Sequence, residues 1–178
     1  MNKFLVTALL TTAIVLLGCA AVGAANVCPG PISGMQKWEN QQHGYCLQYP
    51  AGYNVEQPSE RVTVIVAGSL LSVQQPRAHI EVENANGRSA ASAAAQLAAE
   101  FEGSVPGIKI ARTNITLGGE QAVVLDNLPG QDLNRRVLVV HDNRLYTLMF
   151  SPTDKSLGET YTQLEALYQA VTQSFRFT

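Results

Sequence analysis

The chain reads as an α+β domain, a mostly antiparallel β-sheet flanked by helices, on three observations. Residues 135–141 and 144–150 are two apolar-rich runs joined only by Asp142-Asn143, residue types that tolerate the positive φ of a tight hairpin turn. Residues 77–83 alternate, with Ala78, Ile80 and Val82 on one side and Arg77, His79, Glu81 and Glu83 on the other, as in a strand with one face packed and one in water. Toward the end the period changes: Leu157, Tyr161, Leu164, Leu167, Tyr168, Val171 and Phe175 recur every three or four residues, the stripe of an amphipathic helix laid on a sheet.

Taken in order, the chain opens with Met1-Asn2-Lys3, a short basic flank, followed by an apolar run interrupted only by Thr7, Thr11 and Thr12. This is the layout of an export signal. It closes on Leu16-Leu17-Gly18-Cys19, which resembles the lipobox of bacterial lipoproteins, where the cysteine is acylated and becomes the first residue after cleavage. Residues 1–18 are therefore read as a lipoprotein signal peptide, and Cys19 as carrying two or more palmitate-type chains, enough for stable anchoring where one chain is marginal. Two other fates fit the same residues: ordinary cleavage at Val22-Gly23-Ala24-Ala25, or an uncleaved anchor, since the charge-free run 4–25 can span a hydrocarbon core of about 30 Å. All three place the rest of the chain outside the cytoplasm, at the outer side of the cytoplasmic membrane, in an outer membrane, or secreted.

Residues 19–37 then read as the lipidated cysteine and a tether, rich in Ala, Gly and Pro and without helical or strand period. With Cys19 committed to lipid, Cys28 and Cys46 form an even pair. A disulfide between them would contribute about 3 kcal/mol by restricting the unfolded chain; two independent thiols are the alternative. Residues 38–178 form the domain.

Within the domain, Tyr45, Leu47 and Tyr49 alternate in a short strand that ends at the Pro50-Ala51-Gly52 turn. Residues 61–67 are apolar on both faces, with Val62, Val64 and Val66 opposed to Thr63 and Ile65, as expected of an interior strand. Ser89 can cap a helix to about Phe101 that packs through Ala91, Ala94, Ala95, Leu97, Ala98 and Phe101. Residues 103–107 end it, Ile108-Lys109-Ile110 start a strand, and Gly118-Gly119 turn the chain into another at 121–125. Phe175-Arg176-Phe177 finishes as a short strand or extended tail.

Several of these residues together resemble a known family. Trp38, Gly44-Tyr45, the Tyr49-Pro50-x-Gly52-Tyr53 turn, Leu117-Gly118-Gly119-Glu120-Gln121-Ala122, the Arg136–Val140 run, Leu145-Tyr146-Thr147-Leu148 and the closing Ser174-Phe175 follow, in order over residues 38–177, the pattern of the PsbP-like superfamily. That superfamily includes the extrinsic PsbP protein of photosystem II, a Ran-binding nucleotide-release factor and many bacterial lipoproteins. Tyr53 stands where many members have Trp. The resemblance implies an antiparallel sheet sandwiched between helices (α/β/α) and an accessory or binding role without chemistry of its own. No residues match a family ion site or Ran contact surface.

The chemistry the residues themselves offer is thin. With 12 basic against 14 acidic residues, the chain lacks the concentrated positive charge of a nucleic-acid binder. No Gly-x-Ser-x-Gly elbow selects a nucleophile, and no glycine run has the Lys-Ser/Thr of a phosphate loop. No cofactor motif is present, and no catalytic residue is assigned. His43, His79 and His141 are far apart in sequence, so the best local metal candidate is His79, Glu81 and Glu83, which alternate along one strand face and could present an imidazole and two carboxylates to a divalent ion. A basic surface is suggested by Arg135, Arg136 and Arg144 around the hairpin, with Lys109 and Arg112 near by, facing an acidic partner or lipid headgroups; Asp132 and Asp142 lie among them. The expected function is a membrane-anchored binding or accessory domain for a protein partner or small ligand. Its alternatives are a secreted enzyme assembled only in three dimensions, or a structural envelope component.

Overall fold

The computed structural model describes residues 28–71 and 74–178. The leader, Cys19 and the first part of the tether lie outside the described residues. The described chain runs β1 (Met35–Asn40), β2 (Tyr45–Pro50), β3 (Tyr53–Ser59), β4 (Val62–Ala67), β5 (Arg77–Asn84), α1 (Ala90–Ser104), β6 (Ala111–Leu117), β7 (Glu120–Leu128), β8 (Asn134–His141), β9 (Arg144–Ser151), α2 (Glu159–Ser174) and β10 (Arg176–Phe177). A 3₁₀ turn at Lys155–Leu157 precedes α2. None of the described helices is long and apolar enough to cross a membrane.

Seven strands form one antiparallel sheet in the order β3-β4-β5-β9-β8-β7-β6. Two meanders, β3-β4-β5 and β6-β7-β8-β9, meet where β5 pairs with β9, and α1 carries the chain across one face between them. The hairpin expected at Asp142-Asn143 is present, both residues having positive φ (47° and 58°). The alternation expected along β5 is also met: Ala78, Ile80 and Val82 are buried.

The sheet has two differently covered faces. Its inner face supplies Ile65, Ile80, Val124, Val137, Val139, Tyr146, Leu148 and Phe150 to the larger core, which α2 closes with Leu164, Leu167 and Val171. The second cover on this face is a separate three-stranded sheet, β1-β2-β10. There Tyr45, Tyr146, Phe175 and Phe177 pack ring on ring, with Tyr45 stacked 5.4 Å from Phe175 and edge-on 6.0 Å from Tyr146. Their polar tips are satisfied: the Tyr45 hydroxyl donates to Thr63 Oγ1 at 2.8 Å, and the Tyr146 hydroxyl to the His43 carbonyl at 2.7 Å. On the outer face α1 packs Ala90, Ala93 and Ala94 onto Val123, Leu125, Leu138 and Leu145. Ser89 and Ser92 cap it reciprocally, each hydroxyl accepting from the other's backbone N–H.

Several boundaries differ from the sequence expectation. β1 begins at Met35, inside the stretch read as tether, because residues 28–34 are fastened to β2. A Cys28–Cys46 disulfide joins them with a Cα separation of 5.9 Å, and Gln48 Nε2 donates to the Gly30 carbonyl at 2.8 Å. β1 and β3 were not anticipated, and β2 leaves the main sheet to pair with β1 and β10. The strand expected from Ile108 starts at Ala111. Ala91 and Ala95 are exposed, the helix having turned so that Ala90 and Ala93 take their place. The last helix starts at Glu159 rather than Ser156, since Gly158 has φ of 54° and interrupts the helical turn before it.

Candidate functional site

Strand alternation separates Arg135 and Arg136, so the arginines read as one surface occupy three places. Arg135 points to the inner side, where its Nε donates to Asp126 at 2.8 Å, its Nη1 to Glu165 at 2.9 Å, and its guanidinium lies 4.4 Å from the Tyr168 ring centroid. Burial works against that charge, but the two carboxylates outweigh it and hold the pKa above the ordinary arginine value. Its side chain is only 14% exposed, so it braces α2 against the sheet and is withdrawn from any outer surface. Arg144 is exposed at the far end of the hairpin, about 17 Å along the strands from Arg136, beside His43, Arg61 and Asp142. Arg112 reaches from β6 to the Ala91 carbonyl at 3.1 Å.

Arg136 points outward. The register of four neighbouring strands places Val64, His79, Met149 and Arg136 opposite one another, in a row across β4, β5, β9 and β8. Helix α1 packs on the β7–β8 side of this face, and in the row Val64 is buried while His79, Met149 and Arg136 are partly exposed. Two clefts flank the row and share Arg136. One, of about 210 Å³, runs along α1 past Glu81, Gln96, Glu100 and Thr147. The other, of about 310 Å³, lies over Val64, His79 and Met149 and is bounded by Leu70 of the β4–β5 connection and Asp132 of the β7–β8 connection.

Arg136 is half-buried, its guanidinium 5.5 Å from the Phe101 ring centroid and its Nε donating to Asn134 Oδ1 at 3.2 Å. Among the described residues it makes no ion pair within 4 Å. Burial pushes its pKa below the ordinary arginine value, and Glu81 partly offsets this. His79 is also half-buried, and its Nε2 is shielded without a hydrogen-bond partner among the described residues. Burial lowers its pKa below 6.5, Glu81 works the other way, and Arg136 adds to the lowering. The outer side of β5 is therefore not the simple solvated face that its charges suggested.

The metal candidate does not assemble. His79, Glu81 and Glu83 are spaced about 7 Å apart along the strand, and Glu83 is engaged by Arg88 Nη2 at 2.9 Å. Among the described residues, no three His, Cys, Asp or Glu side chains converge as metal ligands. The histidines are dispersed too. His43 Nε2 meets the Glu60 carbonyl at 2.7 Å, while His141 stacks 4.1 Å from Phe177 with its Nδ1 2.9 Å from Glu120.

No protein-family model matches the chain, and neither does any curated protein. Among solved structures, cyanobacterial PsbP (CyanoP) from Synechocystis sp. PCC 6803 matches with a TM-score of 0.54 at 15% identity, over 92% of this chain and 99% of that one. The fold is PsbP-like. PA94, a protein of unknown function from Pseudomonas aeruginosa, gives a TM-score of 0.45 at 16% identity, over 74% of this chain and 92% of that one. At such identities the PsbP-like likeness is one of architecture and carries no site residues.

The sequence reading missed Met149, Leu70 and Phe101 as neighbours of Arg136. One of the three was within reach: a two-residue turn at Asp142-Asn143 fixes the register that sets Arg136 opposite Met149. His79 joins them only through the β5–β9 pairing, which no local signal announces.

Proposed function

We propose that this protein is an extracytoplasmic lipoprotein, anchored through Cys19, whose PsbP-like domain is a non-enzymatic binding module with the open outer face of its sheet as the working surface. The observation that carries the binding reading is Arg136: a half-buried cation shared by two clefts, with no carboxylate paired to it among the described residues. A partly desolvated charge is costly to hold without a counter-charge, and such positions are where binding sites concentrate. The anchor rests on Leu16-Leu17-Gly18-Cys19 after an apolar run, and the Cys28–Cys46 disulfide fits an oxidising compartment.

Two measurements test this. Cys19→Ser should move the protein from the membrane to the soluble fraction; unchanged membrane association defeats the lipid anchor. Photo-crosslinkers at Thr147 on the outer face and at Thr162 on the exposed side of α2, used in intact cells with the anchor kept, should capture a stoichiometric partner or ligand from Thr147 only. Capture from Thr162 alone would overturn the surface assignment.

A further inference from the structure

The cleft over His79, Met149 and Arg136 carries a more specific assignment, which rests on the outer face being the working surface. Neighbouring strands are about 4.8 Å apart, so the Arg136 and His79 backbones stand about 10 Å from each other with Met149 between them. Arg136 uses one of its five N–H donors on Asn134 and lines both this cleft and the one along α1. His79 lines the same cleft, its Nε2 shielded and without a partner among the described residues. The floor and far wall are apolar: Met149, Val64 and Leu70.

We propose that this cleft binds a small organic monocarboxylate, its carboxylate taken by Arg136 beside the His79 ring and its short apolar body lying on Met149, Val64 and Leu70. A guanidinium receives a carboxylate through two parallel N–H···O bonds, the strong geometry for this pair. The acidic neighbours select against more highly charged ligands. Asp132 lines the cleft and Glu81 lies one row away on β5, and they would repel a phosphate dianion about twice as strongly as a single negative charge at the same place. The cleft volume of about 310 Å³ is at the lower end of small-molecule sites, which limits the body to a few carbons.

The test is a titration of the full chain, anchor kept and held in detergent, with hexanoate, hexanol and inorganic phosphate, following the Met149 methyl and His79 imidazole resonances. Met35, His43 and His141 serve as internal controls. Hexanoate should give saturable shifts at Met149 and His79 and none at the controls, while hexanol and phosphate bind at least tenfold more weakly. Arg136→Met should weaken hexanoate at least tenfold, with Arg136→Lys in between, because it keeps the charge and loses the fork; the lysine variant decides the matter if the methionine variant does not fold. Equal binding of hexanol would remove the role of Arg136, equal binding of phosphate would overturn the carboxylate class, and absence of saturable shifts would overturn the site. If crosslinking places the partner elsewhere while hexanoate still depends on Arg136, the function proposed above fails and the cleft assignment stands. If crosslinking maps to Thr147 and hexanoate shifts nothing, the assignment fails alone.

Discussion

Arg135 and Arg136 are consecutive residues on one strand with opposite surroundings, and the contrast extends to the two faces they mark. The inner face is closed: α2 and the small β1-β2-β10 sheet bury it, its rings pack on one another, and its arginine is held by two carboxylates and a tyrosine ring. The outer face is half-closed: α1 covers one side with alanines, and the other leaves an arginine and a histidine short of partners. The large buried rings are concentrated on the first face and the arginine without a carboxylate lies on the second, while atoms without a hydrogen-bond partner among the described residues occur on both, Trp38 Nε1 against the inner core as well as His79 Nε2.

That contrast can be broken most directly at the aromatic cluster. Phe175→Ala, which empties a fully buried site against Tyr45, Tyr146 and Phe177, should cost about 3–5 kcal/mol in denaturant unfolding. Phe101→Ala on the outer side should cost less than half as much, since that ring is only partly buried. Equal losses would mean that the faces do not differ as described.

Next in size is the staple that holds the entering chain to the inner cover. Replacing Cys28 and Cys46 together by serine should cost about 3 kcal/mol, as expected for a closed loop of this length. Hydrogen exchange should show protection lost first in β1, which pairs only with β2.

The arginine pair itself gives the sharpest test. Arg135→Met leaves Asp126 and Glu165 together without their cation and should cost about 2 kcal/mol, below the figure for a fully buried pair because both carboxylates are partly exposed. Arg136→Met should stay within about 0.5 kcal/mol of wild type. If the two variants melt alike, Arg136 is structural and the outer face loses its claim to function.

Gly118→Ala should cost about 1–2 kcal/mol. The position has φ of 61°, and an added Cβ would lie 2.8 Å from the Phe177 ring, which is itself fully packed.

The smallest effect is on pH dependence. His79 has its pKa lowered, first by burial and further by Arg136 with Glu81 opposing, so near and below pH 6.5 the unfolded chain takes up a proton that the folded chain resists. Stability should therefore be full above that pH and fall as pH drops through it. His79→Gln should flatten this limb; an unchanged profile between about pH 5 and about pH 8 would show that His79 is more open to water than its burial suggests.

How far the sequence foretold this molecule depended on range. The β8–β9 hairpin, the β5 alternation, the capped α1 and the α2 stripe were legible because each is set by residues a few positions apart: turn chemistry, a period of two, a period of 3.6. β3 was missed because Asn54, Glu56, Gln57 and Pro58 give an edge strand no apolar pattern to read. For the candidate site, alternation along the strand already separates Arg135 from Arg136, and reading three arginines as one patch overlooked that period.

By itself, then, the sequence determined an α+β chain of mostly antiparallel strands, which residues of each element seek burial, and an even pair of cysteines in the segment that enters the domain. Only the tertiary structure decided that β2 joins β10 rather than the main sheet, that β5 closes against β9, and that α1 stops short of the His79–Met149–Arg136 row. The physical reason is that a local pattern states how much of a residue must leave water but not what will cover it. The cover is chosen by contacts between segments dozens of residues apart, and the cleft exists where that choice left part of a face uncovered.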